Sequence, residues 1–178
     1  MASPRFIAKT EFGAAEPLTL NGAPVLRRHE ELTSLLIERG AAGAARLFAE
    51  PIIGTGSVSW YAEGSGEAQP FSALSAARRA EAEAQLRGRL EALEPLLDDP
   101  RAGPLLRHAL ALGIDEPFYA LDDTVVIIGW GMLPAGTPGG EAAVVDRVRA
   151  MLARYSPTLA GAGSGWLAAR AAPPSEPP

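Results

Sequence analysis

The run Thr124-Val125-Val126-Ile127-Ile128, closed by Gly129-Trp130-Gly131, constrains this chain more than any other stretch. Five β-branched residues in succession are stiff at χ1 and suit a pleated, packed surface better than a helix. The valines and isoleucines do not alternate with polar residues, so both faces of the strand must be covered. The run therefore predicts a central strand. Residues 118–121 make the partner arm, residues 124–130 the second arm, and Asp122-Asp123 the turn between them. Aspartate suits a turn because it tolerates left-handed backbone and bonds its own main chain. Glycines on both sides of Trp130 either let another backbone approach closely or permit a bulge that re-aims the indole.

The rest of the chain must cover that strand. Asn21-Gly22 sits between short apolar stretches, and both residues tolerate positive φ, which predicts a type I′ hairpin. Pro24 makes its second arm an edge ribbon or a turn into a helix. A helix follows, with Leu32, Leu35 and Leu36 on one face and Gly40 as its stop. Residues 41–49 predict a second, short helix. Ile52-Ile53 and residues 57–62 read as a second hairpin, turning at Gly54-Thr55-Gly56. In it Val58 and Trp60 share one face, and Ser57, Ser59 and Tyr61 the other.

Ser72 or Ser75 caps the longest helix. Its residues Leu86, Leu90, Leu93 and Leu97 recur at 4-3-4 spacing and form one apolar seam. Glu83 and Arg87 are spaced as an i,i+4 ion pair, and Pro95 ends or kinks the helix. A shorter helix carries Leu105, Leu106, Ala109, Leu110 and Leu112. The last presents Val145, Val148, Leu152 and Tyr155 on one side. The pattern is α+β: an antiparallel sheet built from hairpins, packed against one long and several shorter helices. Residues 1–156 form a single globular domain, and residues 157–178 a Gly/Ala/Pro-rich tail or linker.

Composition excludes several classes. The chain has 178 residues, 47% of them apolar and 21% charged, which is enough for one domain with a real core. Its net charge of −5 argues against nucleic acid and anionic lipid, which need a positive patch. With no cysteine there is no disulfide framework, no cysteine-ligated zinc and no thiol catalysis. No signal-peptide core and no stretch of roughly 20 apolar residues is present, so the expected location is cytoplasmic.

No constellation announces a reaction. Gly54-Thr55-Gly56-Ser57 and the glycine-rich residues 161–165 lack the lysine of a phosphate loop. They read as a hairpin turn and a segment of the tail. His29 and His108 have no ligand partner at helical spacing, so no metal and no cofactor are assigned. Asp122 and Asp123, with His108, are the only acid–base set available to a small-ligand or hydrolytic domain. Trp60, Tyr61 and Trp130, with the Gly129/Gly131 edge, could form an aromatic surface for a partner protein. The competing reading packs Trp60 and Trp130 into the core beside the leucine seam.

Three segments carry a resemblance: "LTLNGAPVL…ELTSLL", "AEPIIGTGSVSWYAEGSGEAQPFSALS" with the helix after it, and "ALALGIDEPFYALDDTVVIIGWGM". Together they resemble the N-terminal region of the SrfA family of bacterial virulence-associated proteins, over most of residues 5–133. The chain departs from that pattern in reading Asp-Asp-Thr before the last strand, and in showing no membrane segment. The resemblance implies a cytoplasmic region, tethered to the inner membrane by sequence beyond residue 178, with SrfB-like and SrfC-like partners. It supplies no catalytic residues. The expectation is a non-enzymatic adaptor or scaffold domain. The alternative is a small-ligand-binding or hydrolytic one.

Overall fold

The computed structural model describes residues 3–137 and 140–155. The expected tail, including residues 161–165, lies outside them. Strand β1 (Pro4–Glu11) is followed by the short strands β2 (Ala15–Pro17), β3 (Thr19–Leu20) and β4 (Ala23–Pro24). Helices α1 (His29–Glu38) and α2 (Ala42–Ala45) lead into strands β5 (Glu50–Ile53) and β6 (Ser57–Glu63). Strand β7 (Gln69–Pro70) precedes the long helix α3 (Ala76–Leu93), and α4 (Gly103–Ala109) comes next. Strands β8 (Phe118–Ala120), β9 (Val125–Ile127) and β10 (Met132–Pro134) and helix α5 (Glu141–Tyr155) complete the order. No described helix is long and apolar enough to cross a membrane.

The fold class is α+β, and every pairing between these strands is antiparallel. The three predicted hairpins form. Asn21 and Gly22 take φ of 55° and 82° in the turn between β3 and β4, the geometry a type I′ turn needs. The strands do not make one sheet, however. They make a three-stranded sheet in the order β1-β6-β5, a second in the order β7-β8-β9, and the two-stranded ribbons β10-β2 and β3-β4.

Two strand expectations change. Strand β1 was not foreseen. Its register against β6 slips between Phe6 and Ala8, so Ile7 is an extra, bulged residue and is buried out of sequence with its neighbours. A bulge breaks the period-two pattern by which a strand is read. The run 125–128 is buried on both faces, as expected. Yet β9 ends its sheet, and its other edge is met by a loop: Ile127 N donates to Leu47 O, and Ala49 N donates to Ile127 O.

Local chemistry sets the helix ends. Ser75 Oγ accepts from Arg78 N at the start of α3, so Ser75 and not Ser72 is the cap. Helix α1 stops at Gly40, whose φ is +81°. There Gly40 N donates to Ile37 O and Ala41 N to Leu36 O, the paired bonds that close a helix through a left-handed residue. Pro95 lies in the first turn of a 3₁₀ segment, Glu94–Asp98, that follows α3 directly. The seam continues through this change: Leu86, Leu90, Leu93 and Leu97 are each 1% exposed or less. Each such burial stabilises by roughly 1.5–3 kcal/mol. Helix α3 packs on α2, α5 and β9, and one hydrophobic cluster runs through all the layers. The expected Glu83–Arg87 pair is not made. Glu83 pairs with Arg79 at 3.0 Å, and Arg87 Nε donates to Tyr155 O at 2.9 Å. Tertiary structure offers Arg87 the carbonyl of Tyr155 at the end of α5, where a cation is favoured.

Candidate functional site

The residues singled out around the apolar run do not share a surface. Trp60 and Trp130 are both 0% exposed, and Gly129 and Gly131 are buried. The two indoles meet each other at 5.8 Å between centroids. Trp130 also meets Phe48 edge-on at 5.6 Å and His29 at 5.8 Å. Each indole N–H has a partner: Trp130 Nε1 donates to Ala49 O and Trp60 Nε1 to Thr10 Oγ1, both at 2.9 Å. A buried indole needs that partner. The tryptophans thus hold the middle of the core, and the aromatic contact surface expected of them is corrected. Only Tyr61 keeps solvent exposure.

The glycines flanking Trp130 admit other backbone, as expected. Gly129 O accepts from Gly113 N at 2.9 Å. Gly131 N donates to Ala109 O at 3.1 Å, and Gly131 O accepts from Leu18 N at 2.9 Å. Both glycines have positive φ, 68° and 67°. A Cβ at Gly129 would lie 2.6 Å from Ile114 Cγ1, and one at Gly131 2.9 Å from Val25 Cγ1. The motif is a packing device.

The acid–base set does not assemble either. Asp122 and Asp123 are exposed in the β8–β9 turn. There Asp122 N donates to Ser65 O, and Arg78 Nη2 donates to the Asp122 carbonyl at 3.1 Å. His108 lies on α4 and lines an open hollow of about 450 Å³ with Glu16, Thr19, Leu133, Thr137 and Glu141. Neither aspartate borders that hollow. His108 Nδ1 sits 2.8 Å from Pro104 O, an oxygen that can only accept, so this bond places the ring proton on Nδ1. His29, the first residue of α1, lies in the same way 3.0 Å from Phe48 O through Nε2. Among the described residues no group of three or more potential ligands could hold a metal ion.

The surface that the fold does expose is the outer face of the β1-β6-β5 sheet. Val58 and Trp60 point inward from β6, so alternation turns Ser57, Ser59, Tyr61 and Glu63 outward. Register then fixes their neighbours. Tyr61 stands between Phe6 on β1 and Glu50 on β5, and Ser59 between Lys9 and Ile52. Phe6 and Tyr61 meet edge-to-face at 5.7 Å. Phe6 is 54% exposed and Ile52 52% exposed, two of the three large apolar side chains most open to water among the described residues. Lys9 pairs with Glu11 at 3.6 Å.

Sequence reasoning found Tyr61 and the strand character of Ile52 but missed Phe6, Lys9, Glu50 and Glu63. The one available signal was the polar side of β6, opposite Val58 and Trp60, which implied an outer face. The bulge at Ile7 hid the strand that completes it.

Among the titratable groups, burial chiefly raises the phenol pKa of Tyr155, as it does that of Tyr119 with Glu116 adding to it. Asp99 moves the other way. The Ala102 N–H, 2.7 Å from its Oδ2, holds the carboxyl below the usual range, with Arg101 N–H and Arg39 contributing.

The fold is α+β, and among the described residues the outer face of the β1-β6-β5 sheet is exposed. No protein-family model matches the chain, and neither a curated protein nor a solved structure was found to be similar to it.

Proposed function

We propose that this chain is a non-enzymatic protein-interaction domain, an adaptor or scaffold module that docks partner proteins through the outer face of the β1-β6-β5 sheet. The observation that carries the reading is the pair Phe6–Tyr61 with Ile52 diagonal to it, open to solvent on a sheet whose other face holds the buried Val58 and Trp60. A sheet in an α+β protein is normally covered on its apolar side, and an apolar patch left on the outside marks an interaction surface. The site thus moves from the buried tryptophans to Phe6, Ile52 and Tyr61, the last being the member of the expected set that reaches water. The resemblance to the SrfA family supports the setting: a bacterial virulence-associated, multi-component system, with SrfB-like and SrfC-like proteins as first partners to test.

The test is site-specific photo-crosslinking in the native host. A photoreactive residue at position 6 or 52 is expected to give discrete crosslinked products, identifiable by mass spectrometry. Tyr61→Asp should abolish them, and the same probe at exposed Ile37 on α1 should not give them. Identical products from positions 6, 52 and 37, or products indifferent to Tyr61→Asp, would remove the sheet face from consideration.

A further inference from the structure

We infer that the outer sheet face takes a basic amphipathic helix from a partner protein; this rests on the interaction reading above and names the partner's chemistry. Three observations converge. The first concerns the edges. Among the described residues β1 and β5 each pair only with β6, so both could in principle accept a new strand. Both are blunted. Strand β1 begins at Pro4, bulges at Ile7 and carries exposed Lys9, while β5 carries Pro51, which has no N–H to give. These are the devices that suppress edge pairing. A partner is therefore directed onto the face, where a helix is the element that covers a sheet.

The second observation is the shape of the apolar strip. Phe6 on β1 is directly opposite Tyr61 on β6, and Ile52 on β5 lies diagonally from Tyr61, opposite Ser59. Strands lie about 4.8 Å apart, so the strip is roughly 10 Å across. That is the width of one helix with its side chains. The third is charge. Lys9 pairs with Glu11 at 3.6 Å, whereas Glu50, beside Tyr61, and Glu63, two residues along β6, form no ion pair among the described residues. Both are exposed. The strip is thus bordered by two carboxylates, with the Arg5 guanidinium at Gly64 O as the cation nearest Glu63 along the strands. A helix with an apolar stripe and Lys or Arg on its flanks satisfies both the strip and the carboxylates.

The probe is a synthetic helix of about 18 residues, with Leu at i, i+3, i+4 and i+7 and Lys on both flanks, labelled and followed by fluorescence anisotropy against the full chain. A second peptide has Glu in place of every Lys. The basic peptide is expected to bind and the acidic one not. The double variant Glu50→Lys/Glu63→Lys should weaken the basic peptide at least about tenfold, and Phe6→Ser/Ile52→Ser should do the same. Glu91→Lys/Asp123→Lys, with the same change in net charge elsewhere on the surface, should bind as the parent does. Circular dichroism of each variant checks that it is folded. Equal weakening by both charge reversals, or no binding of the basic peptide, overturns the inference. So does self-association of the parent chain that Phe6→Ser/Ile52→Ser abolishes, since the occupant is then a second copy. Crosslinks from positions 6 and 52 that persist in such a case leave the interaction reading standing. Their absence removes both.

Discussion

At the scale of single residues, the strongest constraint lies at Gly131. Its φ of +67° costs an L residue roughly 1–2 kcal/mol. Its missing Cβ also makes room for Val25, which is fully buried and cannot retreat. Gly131→Ala should therefore cost about 2 kcal/mol or more, lowering Tm by roughly 4–8 °C in a domain of this size. Gly136 supplies the control. Its φ is +81°, but among the described residues nothing lies within 4 Å of a Cβ there. Differential scanning calorimetry of the two variants separates backbone strain from crowding, and the packing account fails if Gly131→Ala melts no lower than Gly136→Ala. The glycines around Trp130 were legible as positions of close backbone approach, because only a residue without a Cβ permits one. Which backbone would approach was not legible. Gly113, Ala109 and Leu18 lie 16 to 113 positions away in sequence order from Gly129 and Gly131, and only the fold brings them together.

At the scale of elements, the joint between α1 and α4 is electrostatic. Asp99 Oδ2 accepts from the N–H groups of Arg101 and Ala102 ahead of α4, and Oδ1 meets Arg39 Nε at 3.0 Å from the end of α1. All three favour the ionised form, so the folded-state pKa lies below the unfolded value of about 3.9. The sign follows from linkage. The contribution is fully present above the unfolded pKa and is lost as pH falls through the folded one. Denaturant titrations of the parent and of Asp99→Asn should differ at pH 6 and converge as pH drops below about 4. A difference that stays constant down to the acid limit would assign the effect to something other than this carboxyl's charge. Helices and hairpins were the most legible elements, since Leu spacing, Ser75, Gly40 and Asn21-Gly22 each act over a few residues. Strand β1 was not, because its bulge spoils the alternation. The pairing of Arg79 with Glu83 in place of Glu83–Arg87 was decided by the Tyr155 carbonyl, an acceptor 68 residues away.

At the scale of the whole molecule, the proposed docking face lies apart from the core. Phe6 and Ile52 lie on the water side of the sheet, so replacing both by Ser should change stability by only about 0.5 kcal/mol per site while removing partner crosslinks. Urea denaturation measures the first and the crosslinking yield the second. A large loss of stability would show that the strip packs as core and serves no partner.

What the sequence determined by itself was local. β-Branched runs chose strands, leucine spacing chose helices, and turn residues chose hairpins, because each of these preferences is settled within a few residues of backbone. Only the tertiary structure decided which residues meet water where a strand carries aromatic or apolar side chains on both sides. Tyr61 and Trp60 are adjacent in the chain and equally aromatic, yet strand alternation and the packing of β1 and β5 on β6 send one to solvent and the other to the centre of the core. Exposure depends on everything packed around a residue, and that information is spread over the whole chain.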